Sequence, residues 1–144
     1  MLKRDRKERG FTLIELLIVM VILGLLAALV GPRMFGKTGK ARQKAAKAQI
    51  SLLETALDTY RLDVGKFPTT DQGMKVLRER PENEAKWDGP YLPKEIPLDP
   101  WGNPYDYRSP GEHGDYDIVS YGADGAPGGE GEGEDIVNWK NLGE

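Results

Sequence analysis

The chain contains no cysteine and only one histidine among its 144 residues. Without cysteine, neither a disulfide framework nor a thiolate metal site can form. The single histidine, His113, stands among glycine and acidic residues, where a position in a turn is expected. Nucleophile-elbow, phosphate-binding-loop and zinc-ligand patterns are also missing, so the sequence predicts a protein that is not an enzyme.

A net positive charge is lacking as well, which restricts the possible partners. The formal net charge is −3, although residues 1–9 hold five basic and only two acidic side chains. The rest of the chain is therefore more acidic than the whole, which makes nucleic acid an unfavourable partner. The length suits one modest domain in addition to the structure that the N-terminus forms.

Residues 11–30, the N-terminal apolar segment, form a run of twenty positions interrupted only by Thr12, Glu15 and Gly24. A helix of this length can cross about 30 Å of hydrocarbon. The basic residues before the segment predict a cytoplasmic N-terminus, although those between 33 and 47 argue for the opposite orientation. The segment is longer than the core of a secretory signal peptide and lacks a small-x-small cleavage site after it.

Glu15 is a carboxylate inside this apolar segment, where an unpaired charge is costly to bury. It therefore needs a partner or a proton. One interpretation is that its side chain reaches the cytoplasmic interface and has no specific role. Physical chemistry alone does not choose between this interpretation and a specific partner.

The residues Arg9-Gly10-Phe11-Thr12-Leu13-Ile14-Glu15-Leu16 resemble the leader junction of type IV prepilins and pseudopilins. This resemblance implies that a prepilin peptidase cleaves between Gly10 and Phe11 and methylates the new amine of Phe11. It also implies that, during filament assembly, the Glu15 carboxylate pairs with the N-terminal amine of a neighbouring subunit. Such pairing would offset the desolvation of both charges within the membrane.

Helical periodicity resumes after Gly31-Pro32, where a break or kink is expected because proline removes a backbone donor. The pattern predicts an amphipathic helix over about residues 34–62, whose apolar face needs a covering sheet. The basic residues between 33 and 47 are interpreted as a solvated helix face, with a lipid or partner site as the alternative. The apolar face consists of Ala46, Ile50, Leu53, Leu57 and Tyr60, and the opposite face of Lys44, Lys47, Gln49, Glu54, Asp58 and Arg61.

The remaining elements are short. Thr69 and Gln72 have the spacing of a helix start, which predicts a short helix to about Arg80. Dense prolines from Pro81 onward exclude long helices, and the aromatic residues there are expected to pack rather than form a ligand cage. Residues 105–109 and 116–121 alternate and predict an antiparallel hairpin. The predicted fold class is α+β: a long N-terminal helix, transmembrane and then amphipathic, packed on a small antiparallel β-sheet with a loop-rich C-terminal region.

Several further motifs are similar to those of the major pseudopilins of type II secretion, and their order along the chain is the same. The resemblance implies a pilin-like fold and separates the chain from type IV pilins that close their C-terminal region with a disulfide. The motifs are Tyr60-Arg61-Leu62-Asp63, Gly65, Phe67-Pro68-Thr69-Thr70, Gln72-Gly73, Gly89-Pro90-Tyr91-Leu92, Asp99-Pro100-Trp101-Gly102, Pro104-Tyr105, Ser120, Gly122-Ala123-Asp124-Gly125, Asp135-Ile136 and Asn138-Trp139.

The resemblance also implies an organisation and a function. Residues 1–10 are expected to be a cleaved leader, 11–31 a transmembrane and polymerisation helix, and 32–144 a periplasmic globular domain. The expected function is that of the major subunit of a periplasmic filament, a homopolymer that helps drive folded proteins across the outer membrane. The implied partners are the prepilin peptidase, minor pseudopilins, the inner-membrane assembly platform and, before assembly, membrane lipid. The alternatives are a type IV pilin of a surface fibre and a membrane-anchored module that senses calcium.

Residues 122–135, the acidic glycine-rich loop, contain six glycines and five carboxylates. Composition alone predicts a flexible acidic linker, because such a segment repels itself and loses much entropy when ordered. The resemblance instead implies a structural Ca²⁺ site, although the pattern is not that of an EF-hand. Its expected ligands are Asp124 first, then Glu132 and Asp135, with carbonyl oxygens of Tyr121 and Ala126. The motif does not distinguish Glu130 from Glu132, so that choice stays open.

Overall fold

The computed structural model describes residues 10–144, except for the side chains of residues 33–35. Its main element is a helix of 52 residues, α1, at Leu13–Val64. Gly65 ends it with a φ of 88°, and the Gly65 N–H donates to the Arg61 carbonyl at 2.7 Å. The predicted amphipathic helix is therefore confirmed as the second part of α1.

Pro32 lies inside α1, and the helix continues through it without interruption. A break at Gly31-Pro32 is therefore wrong, and the kink that was expected as the alternative stays a prediction. A proline in a helix interior costs about 3 kcal/mol, but a break would also require the second part of the helix to nucleate again, which is unfavourable.

The chain divides into two compact units, the first ending at Lys37 and the second comprising Thr38–Glu144, which we call the head. The predicted division after residue 31, between a transmembrane helix and a periplasmic domain, stays a prediction. In the first unit, the large apolar side chains between Phe11 and Val30 are 49% to 89% exposed. By length and composition, α1 is able to span a membrane in this part.

The core of the head is built on the predicted apolar face of α1. Ala46, Ile50, Leu53, Leu57 and Tyr60 are all at most 1% exposed, so this prediction is confirmed. Partly buried aromatic residues pack around the core, as expected for the proline-rich region. The other core residues include Met74, Val76, Leu77, Tyr105, Tyr107, Ile118 and Ile136.

Three short strands form one antiparallel sheet: β1 at Asp106–Arg108, β2 at Asp117–Ser120 and β3 at Ile136–Val137, in the order β1-β2-β3. Strands β1 and β2 confirm the predicted hairpin. The third strand has only two residues, which is too short for alternation to reveal it in the sequence. Together with α1, the sheet confirms the α+β, pilin-like fold class.

The predicted helix up to Arg80 is reduced to one 3₁₀ turn at Met74–Leu77. Its expected start is present, because the Thr69 N–H donates to Gln72 Oε1 at 3.0 Å and the Gln72 N–H donates to Thr69 Oγ1 at 3.2 Å. This reciprocal pair is a capping box. The next residue, Gly73, has a φ of 63°, so the chain leaves the helical conformation directly after the cap.

Asp99 fixes the long loop before the sheet, a role that the motif containing it did not indicate. Its side chain is 4% exposed, and Oδ1 accepts the N–H groups of Trp101 at 3.1 Å and Asn103 at 2.8 Å. Oδ2 accepts the hydroxyl of Ser120 at 2.7 Å. One buried carboxylate therefore holds this loop against β2.

The polar side of α1 is only partly solvated. Lys47 Nζ donates to the Val137 carbonyl at 2.6 Å and to the Lys140 carbonyl, and Gln49 accepts the hydroxyl of Tyr105. Lys47 therefore departs from the interpretation of a solvated basic face. The C-terminal segment folds back along this side of the helix and uses the ammonium group to satisfy its own carbonyls.

Candidate functional site

The residues of the predicted processing and assembly site lie at the start of α1. Gly10 and Phe11 precede the helix and are exposed, whereas residues 1–9 of the predicted leader lie outside the described residues. The Thr12 N–H donates to Glu15 Oε2 at 2.8 Å, and the Glu15 N–H donates to Thr12 Oγ1 at 3.3 Å. Glu15 is therefore part of a capping box and has a partner within its own chain.

This arrangement leaves Glu15 able to bind a further donor. A carboxylate offers about four lone-pair sites, and the capping box uses one of them. A neighbouring ammonium group can therefore approach Glu15 without displacing Thr12. The negative charge also lies at the N-terminal end of a long helix, where the helix dipole favours it.

The acidic glycine-rich loop contains two 3₁₀ turns, Gly122–Asp124 and Gly131–Gly133. Asp124 Oδ1 accepts the N–H of Ala126 at 3.1 Å. A Cβ atom on Gly129 or on Gly133 would come within 2.8 Å of Asp124 Oδ2. Glycine at these two positions therefore lets the backbone close around the carboxylate.

Asp135 lies beside the same part of the loop. Its Oδ2 accepts the N–H of Gly128 at 2.9 Å, while its Oδ1 is buried without a hydrogen-bond partner in the part of the chain that the structure describes. Because Gly128 and Gly129 are adjacent, the carboxylates of Asp124 and Asp135 flank one dipeptide. A buried anionic oxygen without a partner is costly, which favours a cation nearby.

Glu132 is placed differently from the other expected ligands. Its carboxylate packs against Gly39 of α1, where any larger residue would overlap with it. The neighbouring Gly131 carbonyl accepts a hydrogen bond from Gln43 Nε2 at 2.6 Å. The Glu132 side chain thus attaches the loop to α1. Glu130, which precedes Gly131 in the chain, is exposed.

The expected carbonyl donors lie at the ends of the first 3₁₀ turn. Tyr121 directly precedes it, and its hydroxyl donates to Asp106 Oδ2 at 3.0 Å. Burial, followed by the negative Asp106 nearby, raises the pKa of Tyr121. Ala126 follows the turn and is already hydrogen-bonded through its N–H to Asp124. Their carbonyl roles remain predictions.

The donor set fits a hard cation such as Ca²⁺. Among residues 10–144, no group of three Asp, Glu, His or Cys side chains could hold a metal, so backbone carbonyls would have to complete the coordination. Calcium takes six to eight oxygen ligands and accepts carbonyls readily. Asp124 and Asp135 contact the neighbouring residues Gly129 and Gly128, whereas the Glu132 carboxylate lies against Gly39, and the ligand set stays a prediction.

A second cluster at the sheet was not predicted from the sequence. His113 Nδ1 lies 3.0 Å from Asp117 Oδ2, and the His113 ring stacks on Trp139 with centroids 3.8 Å apart and planes at 4°. Asp117 is 5% exposed and also accepts the N–H groups of Glu112 and His113. The spacing of four residues across a glycine turn was the available signal for the His113–Asp117 pair.

The surroundings of Asp117 act on its pKa in opposite directions. Burial alone would raise the pKa, but the hydrogen bonds from the His113 ring and from the two backbone N–H groups outweigh it and lower the pKa below the usual 3.8. Asp117 therefore stabilises this turn as a carboxylate. His113 does form part of a turn, as predicted, but it also has two defined side-chain partners.

Comparison with known proteins gives matches over most of the chain. A family model described as "Type II secretion system (T2SS), protein G" matches residues 33–139, and one described as "Prokaryotic N-terminal methylation motif" matches residues 5–31. The type II secretion system core protein G of Vibrio cholerae is 49% identical, with 96% of each chain covered. That of Pseudomonas aeruginosa is 44% identical over 94% of this chain and 98% of its own.

A solved structure is similar as well. The crystal structure of the major pseudopilin from the type 2 secretion system of enterohaemorrhagic Escherichia coli matches with a TM-score of 0.62 and 38% sequence identity. The match covers 75% of this chain and 95% of that chain. The likeness therefore extends to the fold and to nearly the whole of each relative.

Proposed function

The chain belongs to the type II secretion system protein G family, and from this premise we propose that it is the major structural subunit of the secretion pseudopilus. It polymerises through its N-terminal helix into a periplasmic filament that helps drive folded proteins across the outer membrane. The family is a structural one, and its members are named as core components of a secretion system. This name does not support the alternative of a surface fibre.

The observation that carries this proposal is the exposure of the N-terminal apolar segment. Its large apolar side chains are at least 49% exposed, whereas the apolar face in the second part of α1 is buried in the head. Such a large apolar surface needs cover from outside the chain. Membrane lipid supplies the cover before assembly, and the helices of neighbouring subunits supply it in the filament.

The subunit is expected to be a single-pass protein of the inner membrane with its head in the periplasm. The prepilin peptidase is the proposed processing partner, cleaving after Gly10 and methylating Phe11. The match of residues 5–31 to the methylation motif supports this step. Minor pseudopilins and the inner-membrane assembly platform are the other proposed partners.

Glu15 is proposed to pair with the Phe11 amine of a neighbouring subunit. Two side-chain properties are combined at this position, since Glu15 both caps α1 and carries a charge. The head shows how to separate them, because Gln72 makes the same reciprocal bonds with Thr69 without any charge. Glu15→Gln should therefore keep the cap and lose only the charge.

The experiment compares Glu15→Gln and Glu15→Ala for pseudopilus assembly and for secretion, with the amount of each variant in the membrane fraction as the control. If the charge pair drives assembly, both variants accumulate in the membrane and neither forms filaments. Normal assembly by Glu15→Gln, with failure of Glu15→Ala alone, would show that the cap matters and would refute the charge pair.

We also propose that the acidic glycine-rich loop binds Ca²⁺. Asp124 and Asp135 would supply carboxylate oxygens, Tyr121 and Ala126 carbonyl oxygens, and Glu132 a connection to α1. A bound cation would neutralise the clustered carboxylates and hold the loop in one conformation. The enclosed Asp124 carboxylate and the unsatisfied Asp135 Oδ1 support this proposal.

A further inference from the structure

Three lysines on α1, which we call the lysine stripe, are used by none of the functions above. Lys37, Lys40 and Lys44 recur at spacings of three and four residues within one continuous helix, which places them on the same helix face. All three are exposed. Lys47, the next lysine along the helix, differs from them because its ammonium group binds carbonyls of the C-terminal segment. The lysine stripe therefore presents three positive charges to the surroundings.

The positive charge of the lysine stripe is not neutralised by the chain itself. No Asp or Glu occurs in the sequence between Glu15 and Glu54, so α1 offers these lysines no acidic neighbour at helical spacing. Glu132 lies against Gly39, but within residues 10–144 none of the three lysines makes an ion pair. The lysine stripe is therefore able to bind an anion outside the chain.

The position of the lysine stripe in the sequence indicates which anion it meets. Lys37 follows Val30, the end of the N-terminal apolar segment, by seven residues, which is about 10 Å along a helix. The headgroups of a bilayer extend roughly 5–7 Å beyond its hydrocarbon core on each side. Side chains on a helix lean toward its N-terminus, and a lysine carries its charge on a long flexible stem. The Lys37 ammonium group can therefore reach back to the headgroup phosphates.

The charge bias of membrane proteins makes these lysines unexpected on the periplasmic side. Basic residues close to a span are usually kept in the cytoplasm, yet the six between 33 and 47 outnumber the five that precede the span. In the proposed orientation they oppose the bias, and an interaction that offsets it is expected. Anionic headgroups offer one, because each basic residue near an anionic surface strengthens binding about fivefold.

We propose that the lysine stripe binds the phosphate groups of anionic phospholipids at the periplasmic face of the inner membrane. The inference rests on the proposed function, because it requires the N-terminal apolar segment to span that membrane. An acidic protein segment is a poorer match, since the headgroups follow directly from the position of the span and the lysine stripe offers a peptide nothing besides charge. Binding of lipid would keep the head close to the membrane before the subunit enters the filament.

The test uses the absence of cysteine, which lets one new cysteine carry a label. Ala41 is exposed and lies between Lys40 and Lys44 in the sequence, so a fluorescent donor is attached through Ala41→Cys. The full chain is reconstituted in phosphatidylcholine nanodiscs that contain a small fraction of lipid with an acceptor on its acyl chain. That lipid is either phosphatidylglycerol or phosphatidylcholine. A titration of the acceptor fraction should give an affinity at least about fivefold higher for phosphatidylglycerol.

Two triple variants, both with the donor at the same position, identify the source of this preference. The stripe variant replaces the three lysines of the lysine stripe by glutamine and should abolish the preference for phosphatidylglycerol. The control variant removes the same charge from three exposed lysines elsewhere in the head and should keep the preference. It carries Lys66→Gln, Lys75→Gln and Lys86→Gln.

The outcomes separate this inference from the proposed function. Equal energy transfer to both lipids would overturn the lysine stripe as a lipid site and leave an acidic protein as its partner, while the membrane span would be unaffected. A preference that survives in the stripe variant, or is lost equally in both variants, would also overturn it. Absence of energy transfer to either lipid would overturn the inference together with the proposed membrane span.

Discussion

Two parts of the same helix cover their apolar side chains in different ways. Between Phe11 and Val30 apolar residues point in all directions, and the large ones are 49% to 89% exposed. In the head, α1 confines its apolar residues to one face, and Ala46, Ile50 and Leu53 are at most 1% exposed. Both parts have the same backbone hydrogen bonding, so only the side-chain pattern distinguishes them.

The difference shows where each part obtains its cover. An apolar stripe on one face of a helix can be covered by a single layer of sheet or loop. The head supplies that layer from its own chain. A helix that is apolar all around requires cover on every side, which one small domain does not offer. The first part therefore needs cover from outside the chain, and the second is covered by the head itself.

The largest expected effect compares one leucine from each part. Leu57→Ala should lower the free energy of unfolding of the head by about 2–5 kcal/mol, because Leu57 is 0% exposed and its removal leaves a cavity. Leu23→Ala, at a residue 54% exposed, should leave that free energy unchanged. Urea unfolding followed by tryptophan fluorescence measures this, since all three tryptophans lie in the head.

The control for this pair is the helix content of the folded proteins in detergent, which should be the same for both variants. Equal destabilisation by Leu57→Ala and Leu23→Ala would contradict the comparison, because it would mean that the N-terminal apolar segment also takes its cover from the head.

Removal of calcium should produce the next largest effect and should also be confined to the head. If calcium is present at 100 times its Kd, chelation should lower the free energy of unfolding by about 2.7 kcal/mol through mass action. Thermal unfolding with and without chelator measures the change. Asp124→Asn serves as the control and should melt at the chelated temperature under both conditions. Identical melting of the unmodified chain with and without chelator would refute a structural metal.

A smaller loss of stability is expected when the pH is lowered, because Asp117 becomes protonated. Its pKa in the folded chain lies below the usual 3.8, so the unfolded state binds its proton first as the pH falls. The stabilisation that the Asp117 carboxylate provides is therefore present when the pH is above 3.8, the usual pKa. It is lost as the pH falls through the lower pKa that Asp117 has in the folded chain. Urea midpoints at about pH 5 and about pH 3 should diverge less for Asp117→Asn than for the unmodified chain.

The matched control for acid is Asp115→Asn, because Asp115 is exposed and its pair with Arg61 at 3.5 Å lies at the surface. This variant should show the same divergence of midpoints as the unmodified chain. If Asp115→Asn and Asp117→Asn behave alike, the buried turn around His113 contributes nothing specific to acid stability.

The features that could be predicted are those with local periodicity. The apolar face of α1 repeats every three or four residues, and residues 105–109 and 116–121 alternate around a turn, so both elements were recognised. The capping pair of Thr69 and Gln72 was also recognised, but the left-handed conformation of Gly73, which shortens the helix, has no periodic signal.

The features that could not be predicted depend on distant parts of the chain. Lys47 binds the Val137 carbonyl across 90 positions, and the Asp99 carboxylate meets Ser120 across 21. The Glu132 side chain is directed to Gly39 by the fold of the loop, and an alternating Gly-Glu run contains no register from which that direction could be read. The continuity of α1 through Pro32 likewise depends on the helix as a whole.

The smallest expected effect compares the two capping boxes, Thr12–Glu15 at the start of α1 and Thr69–Gln72 after its end, in the head. Gln72→Ala should cost about 0.5–1 kcal/mol of head stability, because the Thr69 N–H loses its side-chain acceptor. Gln72→Glu should cost less, since a carboxylate accepts the same hydrogen bond.

At Glu15 the reverse exchange, Glu15→Gln, keeps the cap but should prevent assembly. If urea unfolding shows Gln72→Glu to be as damaging as Gln72→Ala, glutamate and glutamine are not equivalent as caps in this chain, and the Glu15→Gln variant no longer isolates charge. If the two differ as expected, Glu15→Gln isolates the charge, and its failure to assemble would mean that the Glu15 carboxylate is needed for a partner outside its own helix.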